Sequence, residues 1–302
     1  MADREHLARA LWTLFEPVHA VTYFSTEARE ALAEIGLARY WDGYFAGRSA
    51  PLGALSGPPV TAMFSGFAPF LVDRALPAVW SVTTPGQVIE ARYVGAAATL
   101  RAVIPDERVI ATAVDALTPL VARLDTIGRP LSAAYAALPL EDDPYRRLWQ
   151  VAGTLREHRG DGHVIALVSL GIAGITTLVL RAGVDLDATS MKKARGWTDE
   201  EWDAEAERLI ARGLLAADRR IAPAGADLLD RAEQLTNVLA LAPLAGLTDD
   251  DVRAVATALH PVASAVASLF PYPNPIGMPV SWDPAADPDA SAVAESPVSR
   301  PL

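Results

Sequence analysis

The chain of 302 residues contains no cysteine, so it has neither a disulfide framework nor a thiolate metal site. It also lacks the motifs that mark several enzyme classes. There is no glycine-rich phosphate loop, no GxSxG nucleophile elbow and no HExxH zinc motif. Any ligand or catalytic site must therefore be built from side chains that form none of these signatures.

Long apolar runs are absent as well. The longest uncharged apolar stretch, residues 164–180, is marginal in length for crossing a bilayer, and we predict a buried core helix there. The N-terminal sequence MADREHLARALW is charged and periodic, and it lacks the apolar run and cleavage site of a signal peptide. We therefore expect a soluble, cytoplasmic protein with no membrane partner.

Basic sequence is scarce. The formal net charge is -11 and the isoelectric point is about 4.9. Proteins that bind nucleic acid usually carry a basic face, because neutralising phosphates supplies much of their affinity. The overall charge therefore argues against DNA or RNA as a partner.

What the sequence does contain is helical periodicity. Apolar residues recur at helical spacing from Leu7 to Val18, and residues 85–103 and 107–124 predict two long alanine-rich helices. Residues 48–59 are rich in Gly, Pro and Ser and predict a linker. The segment Trp80–Thr83 is typical of a short strand. The fold class we predict is mainly α.

The helical pattern occurs twice. Leu11-Trp12 recurs as Leu148-Trp149, and four further matches follow in the same order, with offsets between 135 and 142 residues. This ordered series predicts an internal duplication. We place a degenerate first module at residues 1–140, a second module at 141–284 and a disordered tail at 285–302, which is rich in Pro, Ala and Ser.

Residues 194–225 resemble a winged helix of the MarR type: a helix ends in Arg-Gly-Leu-Leu, a short hairpin follows, and Ala-Pro-Ala-Gly opens the next helix. The whole chain is similar to an actinobacterial, SCO-type helix-turn-helix family, on motifs at residues 16–24, 43–53, 155–164 and 195–202. The resemblance implies a MarR-like fold but no particular activity. Because MarR-type proteins are dimers, two fused modules imply a single-chain pseudo-dimer.

The helix that would enter the major groove in this family corresponds to residues 198–212. It carries six carboxylates against Arg208 and Arg212. Such a helix repels a phosphate backbone, although Lys192, Lys193 and Arg195, with Arg219 and Arg220 in the hairpin, oppose this effect. DNA is therefore not an expected partner.

The candidate site centres on residues 155–164. Arg156, Arg159 and His163 share one helix face, while His158 and Asp161 lie on a neighbouring one. The first module offers Glu16, His19 and Tyr23 at the same spacing. We expect these residues and Arg48 to converge on a cavity between the modules, with Tyr44 among its aromatic walls. The alternative is that the charges pair, and the aromatic side chains pack, for structural reasons alone.

Arginines beside histidines favour an anionic ligand, and a histidine with a carboxylate partner suits acid–base chemistry. We assign His158, His163 and Asp161 as catalytic candidates. The ligand-binding candidates are Glu16, His19, Tyr23, Tyr44, Arg48, Arg156 and Arg159. We predict no metal site, because the spacing of His158 and His163 points their rings away from a common helix face. The sequence identifies no cofactor.

Three functions stay open. The first is a small-molecule-binding protein on a repurposed winged-helix pseudo-dimer, with an anionic or aromatic ligand between the modules. The second is an enzyme that uses His163 or His158 as general acid–base and Arg156 and Arg159 as anion clamps. The third is a ligand-responsive, MarR-like transcription regulator.

Overall fold

The computed structural model describes residues 4–270, 277–278, 280–291 and 293. In the first half the α-helices are α1 (Glu5–Phe24), α2 (Thr26–Glu34), α3 (Tyr40–Ser49), α4 (Gly57–Met63), α5 (Pro69–Asp73), α6 (Pro85–Val103), α7 (Glu107–Val121) and α8 (Pro130–Ala136). In the second half they are α9 (Pro144–Ser169), α10 (Ile175–Ala182), α11 (Ala188–Arg195), α12 (Asp199–Ala211), α13 (Pro223–Leu239) and α14 (Asp249–Ala267). The prediction of a mainly helical fold is confirmed.

The long helix α9 lies at the centre of the molecule. It packs against α1, α6, α7, α8 and α13, and α14 covers α1 and α7. The main core takes side chains from both halves of the chain, for example Leu14 and Leu117 from the first and Leu148 and Leu259 from the second. The division into two modules therefore stays a prediction, but the helices of both halves share one core.

The helices begin where the sequence supplies caps. Ser25 caps α2 by accepting a hydrogen bond from Ala28 N at 3.2 Å, as its position before the helix predicts. Thr84, Thr198 and Thr248 each form a capping box at the start of α6, α12 and α14. These caps place the N-termini of three long helices.

The segment that resembles a winged helix consists of α10, α11 and α12, a turn and α13. Its core is separate from the main one and contains Leu178, Met191, Trp202 and Leu209. The turn is closed by a single β-bridge between Leu215 and Ile221, the one β-pairing among the described residues. The predicted hairpin is therefore reduced to one bridge.

Two local predictions need correction. Trp80–Thr83 forms no strand, because Ala78–Ser81 folds as a 3-10 helix. The apolar stretch 164–180 is not one helix: α9 ends at Ser169, and Gly171 and Gly174 take positive φ angles before α10 begins. Across the described residues, no helix combines the length and the apolar character that a membrane crossing needs.

The predicted tail, 285–302, is described only at residues 285–291 and 293. Ala290 and Val293 pack against the main core, and Trp282 just before the tail is buried there as well. Residues 292 and 294–302 lie outside the described residues.

Candidate functional site

A cavity of about 100 Å³ lies where α1, α3 and α9 meet the segment between α4 and α5 and the end of α11. Helix α9 lines it with residues at helical spacing, including Arg156, Arg159, Gly160 and His163. The other polar and aromatic lining residues among those described are Trp12, Glu16, Tyr44, Arg48, Phe64, Ser65, Phe67, Thr177 and Arg195. The cavity is therefore charged on the α9 side and aromatic opposite.

An ion-pair network holds these charges in place. Arg48 binds Glu157 at two points, Nε to Oε1 at 3.2 Å and Nη2 to Oε2 at 2.8 Å. Arg156 donates to Glu157 Oε2 at 2.9 Å and to Glu16 Oε1 at 3.4 Å. Although burial opposes it, Arg156 and Arg48 lower the pKa of Glu157, so this carboxylate is ionised.

A second pair, Arg159 and Glu233, lies beside the first. Arg159 Nη2 donates to Glu233 Oε1 at 2.7 Å, and Arg9 Nε lies 3.7 Å from the same oxygen. The guanidinium of Arg159 also lies 4.9 Å from the centre of the Trp12 ring. Arg159 and Glu233 are both buried, so α9 and α13 are joined by a desolvated ion pair.

The arginines of the cavity and its ion pairs outnumber the glutamates. The arginines are Arg9, Arg48, Arg156, Arg159 and Arg195, and the glutamates are Glu16, Glu157 and Glu233. Arginine keeps its charge in proteins. Three of the five guanidinium groups lie over aromatic rings, but such contacts do not neutralise a charge. The described side chains of the site therefore include more arginines than glutamates, and guanidinium groups are well suited to binding carboxylates.

When only the described residues are considered, Arg159 and His163 in the cavity wall have buried atoms without a hydrogen-bond partner. They are Nε and Nη1 of Arg159 and Nε2 of His163. Leaving such atoms unpaired costs free energy comparable to that of a lost hydrogen bond. These atoms are the ones that a bound molecule would satisfy.

The hydrogen bonds of His163 determine which group that molecule must offer. Thr236 donates its hydroxyl to Ala232 O at 2.7 Å, so its oxygen accepts from His163 Nδ1 at 3.0 Å. The remaining nitrogen, Nε2, is then an acceptor. Burial lowers the pKa of His163 to about 4, so the ring is neutral near pH 7. A ligand group facing Nε2 must therefore be a hydrogen-bond donor.

Tyr44 forms part of the opposite wall. Its hydroxyl accepts from Arg48 Nη1 at 3.3 Å. Although burial opposes the shift, Arg48, Arg195 and Arg156 lower the pKa of Tyr44. These three guanidinium groups favour the ionised form of the phenol, as they would favour a bound anion.

The structure does not bring His158 and Asp161 to this cavity, and His19 and Tyr23 do not line it either, so the expected convergence of all the candidates is not observed. His158 Nε2 lies 3.2 Å from Asp125 O, on another face of α9. Asp161 accepts from Ser132 N at 2.9 Å, in the first turn of α8. Burial raises the pKa of Asp161 to about 7 and lowers that of His158 to about 4. Both side chains are buried, and their hydrogen-bond partners lie outside the cavity.

His19 and Tyr23 lie on α1 next to the cavity but do not line it. His19 Nε2 lies 3.0 Å from Tyr23 Oη, and the ring of His19 stacks on Trp149 at 5.3 Å. Burial lowers the pKa of His19 well below its usual value. The two residues support the helix contact between α1 and α9.

Of the two glycines in the central stretch, Gly162 has a clear packing role. A Cβ there would lie 2.6 Å from Arg129 Nη1, which donates to His158 O. Helix α9 runs through both glycines without a break. Gly162 therefore permits the close approach of Arg129 to α9.

Sequence reasoning missed several residues of the site, among them Trp12, Phe64, Phe67 and Arg195. Arg195 lies 38 residues beyond α9's Glu157, and its position in the chain suggests the basic surface of the winged helix. Its guanidinium instead lies 4.4 Å from the Phe67 ring centre, and its side chain is buried. No local sequence signal distinguishes a buried from an exposed arginine at the end of a short helix.

The prediction of no metal site stays a prediction. The described part of the chain contains no group of three or more His, Asp or Glu side chains arranged to hold a metal ion. The single imidazole in the cavity faces arginines, whose charge opposes that of a metal cation.

The chain was compared with known proteins at the level of families, curated sequences and solved structures. A family model described as a helix-turn-helix family matches residues 8–271. Neither the curated proteins nor the solved structures gave a match. The family match overturns the expectation that DNA is not a partner, because the helix-turn-helix is a DNA-binding motif.

The physical reason for this correction is visible on α12. Asp203 and Glu207 pair with Arg219, Glu205 pairs with Arg208, and Asp199 pairs with Lys192. Residues 188–221 contain seven basic and seven acidic side chains, so this region is neutral in a chain of net charge -11. The number of carboxylates on α12 alone therefore overestimates the repulsion between this region and the phosphate backbone of DNA.

Proposed function

The chain belongs to the helix-turn-helix family, and from this premise we propose that it is a ligand-responsive DNA-binding regulator. A small anionic molecule with an aromatic body binds in the charged cavity and changes how the helix-turn-helix meets DNA. The observation that carries the proposal is the cavity in which, among the described residues, Arg159 and His163 have unpartnered buried atoms beside Arg48 and Arg156.

The helix-turn-helix of this proposal is the MarR-like segment α10–α11–α12. Helix α11 ends at Gly196, in the left-handed conformation with φ 80°, and Thr198 caps α12. The exposed basic side chains nearest to this turn and to the wing are Lys193, Arg212 and Arg220. We assign the phosphate contacts to these three, since Lys192, Arg208 and Arg219 are held by carboxylates of α12, whereas the contact of Arg220 with Asp218 is long, at 3.9 Å.

The pseudo-dimer belongs to the same proposal. The helix order α1, α2, α3, α6, α7 parallels α9, α10, α11, α13, α14, and α7 and α14 each contain a proline, Pro119 and Pro261. This parallel supports two degenerate copies packed through α1 and α9. In that arrangement the cavity lies between the copies.

The side chains of the cavity indicate which class of ligand it binds. Arg159 offers an unpartnered charged N–H donor, which suits one oxygen of a carboxylate, and His163 offers an acceptor one helical turn further along α9. Such residues are about 5 to 6 Å apart at their Cβ atoms. The body between the two polar groups faces Trp12 and Phe64. A hydroxylated aromatic carboxylate, of which 4-hydroxybenzoate is the simplest test compound, fits these requirements.

A direct path connects this cavity to the helix-turn-helix. Arg195 lines the cavity, and its carbonyl accepts from Ala68 N at 2.9 Å. Two residues later Trp197 Nε1 donates to Gly66 O at 3.0 Å. The turn between α11 and α12 is thus fastened to the segment that carries Phe64 and Phe67. An anion in the cavity that attracts Arg195 therefore shifts the turn between α11 and α12.

The test measures DNA affinity by fluorescence anisotropy, with a duplex that the protein selects from a random pool, with and without 4-hydroxybenzoate. We expect the ligand to change the affinity by about tenfold, within the usual range of allosteric coupling. Arg159→Gln should abolish the change. Arg108→Gln, on an exposed side chain far from the cavity, is the matched control.

Two outcomes would count against the proposal. If 4-hydroxybenzoate binds in calorimetry but leaves DNA affinity unchanged, the function is ligand binding without DNA control. If Arg159→Gln responds like Arg108→Gln, the cavity is not the effector site.

An enzyme is the second candidate, and the free Nε2 of His163 beside Arg159 and Arg156 favours it. Its weakness is the pKa of about 4 that burial gives His163, since a general base works best with a pKa near the working pH. Consumption of 4-hydroxybenzoate by the wild type but not by His163→Gln, followed by chromatography, would establish this function instead.

A further inference from the structure

A second cavity, of about 240 Å³, lies on the other side of Tyr44. Tyr44 lines both cavities. The remaining described lining residues are Thr22, Tyr23, Arg29, Leu32, Leu37, Ala38, Arg39, Tyr40, Gly43 and Arg92. Exposed side chains at Arg29, Arg39 and Tyr40 form its mouth.

Arg92 forms the buried end of this cavity and is 3% exposed. Its Nη1 donates to Gly47 O at 2.8 Å and to the hydroxyl of Tyr135, and its guanidinium lies 4.7 Å from the Trp149 ring centre. Its Nη2 is buried and has no hydrogen-bond partner. One donor of a buried, charged side chain is therefore unsatisfied.

Among the described residues, no carboxylate forms an ion pair with Arg92, and none of the residues that line the cavity is Asp or Glu. A buried charge without a partner is costly, and arginine recognises planar oxyanions through paired N–H groups. A bound oxyanion would remove this cost.

The walls suit a flat body. The rings of Tyr23 and Tyr44 lie 5.3 Å apart, and Tyr40 stacks on Tyr44 at 6.2 Å with an angle of 26° between the planes. Aromatic side chains of this kind pack against the faces or edges of other rings. The positive charges of Arg29 and Arg39 at the mouth attract anions from solution.

We infer that this second cavity is a separate binding site for a planar aromatic carboxylate, with Arg92 as the anion partner and Tyr23, Tyr40 and Tyr44 as walls. It differs from the first cavity in having no histidine acceptor, so its ligand needs no hydroxyl donor. The proposal goes beyond the regulator function and does not depend on it.

The experiment is isothermal titration calorimetry of the full chain with 2-naphthoate and with its neutral analogue 2-naphthamide. Ala38→Trp fills the mouth of the cavity from an exposed position and leaves Arg92 untouched. Ala33→Trp, on the exposed face of α2, is the matched control. Arg92→Gln removes the charge, and circular dichroism and thermal unfolding check its fold.

We expect 2-naphthoate to bind the wild type and Ala33→Trp equally, and 2-naphthamide to bind at least about tenfold more weakly. Ala38→Trp and Arg92→Gln should each weaken 2-naphthoate binding by at least about tenfold, while Arg159→Gln should leave this site unchanged. Equal binding of the amide, or equal binding by Ala38→Trp and Ala33→Trp, overturns the proposal. Loss of all binding in Arg159→Gln overturns it too, because the only site is then the first cavity.

Discussion

Arg48 and Glu157 are 109 residues apart in the sequence and form a two-point ion pair, with distances of 3.2 and 2.8 Å. The pair fixes α3 against α9, and Glu157 is completely buried. Arg156 donates to the same carboxylate. Glu157 is thus the anion that two guanidinium groups at the cavity share.

Replacing Glu157 by Gln should destabilise the protein strongly. It leaves Arg48 and Arg156 buried with too little negative charge, and breaking one side of a buried pair costs about 3 to 5 kcal/mol. The free energy of unfolding in urea measures this. Glu200→Gln, on the exposed side of α12, serves as control and should change it by less than about 0.5 kcal/mol. Equal effects of the two substitutions would show that the ion pair contributes nothing.

Asp161→Asn should change the pH dependence of stability. Burial raises the pKa of Asp161 from 3.8 to about 7, so the folded state favours the protonated acid. Its stabilising contribution is complete below pH 3.8 and is lost as the pH rises through 7. Asparagine has no such loss and can still accept from Ser132 N.

The stability of Asp161→Asn relative to wild type should therefore rise between pH 4.5 and pH 8, by at most about 4 kcal/mol. Urea unfolding at the two values measures it. Asp142→Asn, whose side chain is fully exposed, should show no such trend. A constant difference between Asp161→Asn and wild type would contradict the raised pKa.

His163 should remain a neutral ring, protonated at Nδ1, throughout the range from pH 5.5 to pH 8. The Thr236 hydroxyl fixes this tautomer, and burial lowers the pKa to about 4. Long-range 15N–1H correlation spectra report the tautomer directly. Thr236→Val removes the acceptor and should release the ring to exchange between tautomers. A signal from protonated Nε2 in the wild type would exclude the donor-type ligand proposed for the cavity.

Lys193, Arg212 and Arg220 should determine DNA affinity. Replacing all three by Gln should weaken binding to any duplex and reduce the slope of log affinity against log salt by about 0.9 for each phosphate that the protein no longer neutralises. Fluorescence anisotropy at several salt concentrations gives both quantities. Replacing Arg74, Arg101 and Arg108 by Gln removes equal charge from other surfaces. If the two triple variants behave alike, DNA is not bound through the helix-turn-helix.

The sequence predicts the helical class well because caps and periodicity act locally. Thr198 with Glu201 marks the start of α12, and the spacing of Arg156, Arg159 and His163 correctly places all three on one wall of the cavity. Spacing alone does not decide which neighbour a face meets. His158 and Asp161 belong to faces of α9 that meet Asp125 and α8, and this depends on packing over 29 to 33 residues.

The number of charged residues along one helix is a poor predictor of the electrostatic potential at its surface. It does not include partners from other elements, such as Arg219, which neutralises carboxylates of α12 from the wing. The role of Arg195 at the cavity is not predictable from the sequence for the same reason, because it depends on Phe67 from the other half of the chain. Long-range contacts of this kind have no local signature.

The most direct test of the charged cavity is a high-resolution crystal structure of the full chain with 4-hydroxybenzoate. We predict a carboxylate oxygen on one of the unpartnered donors of Arg159, Nε or Nη1, and the phenol hydroxyl donating to Nε2 of His163, at hydrogen-bond distances of about 2.7 to 3.2 Å. A structure in which the compound is bound elsewhere, while Arg159 and His163 contact only water, would contradict the account.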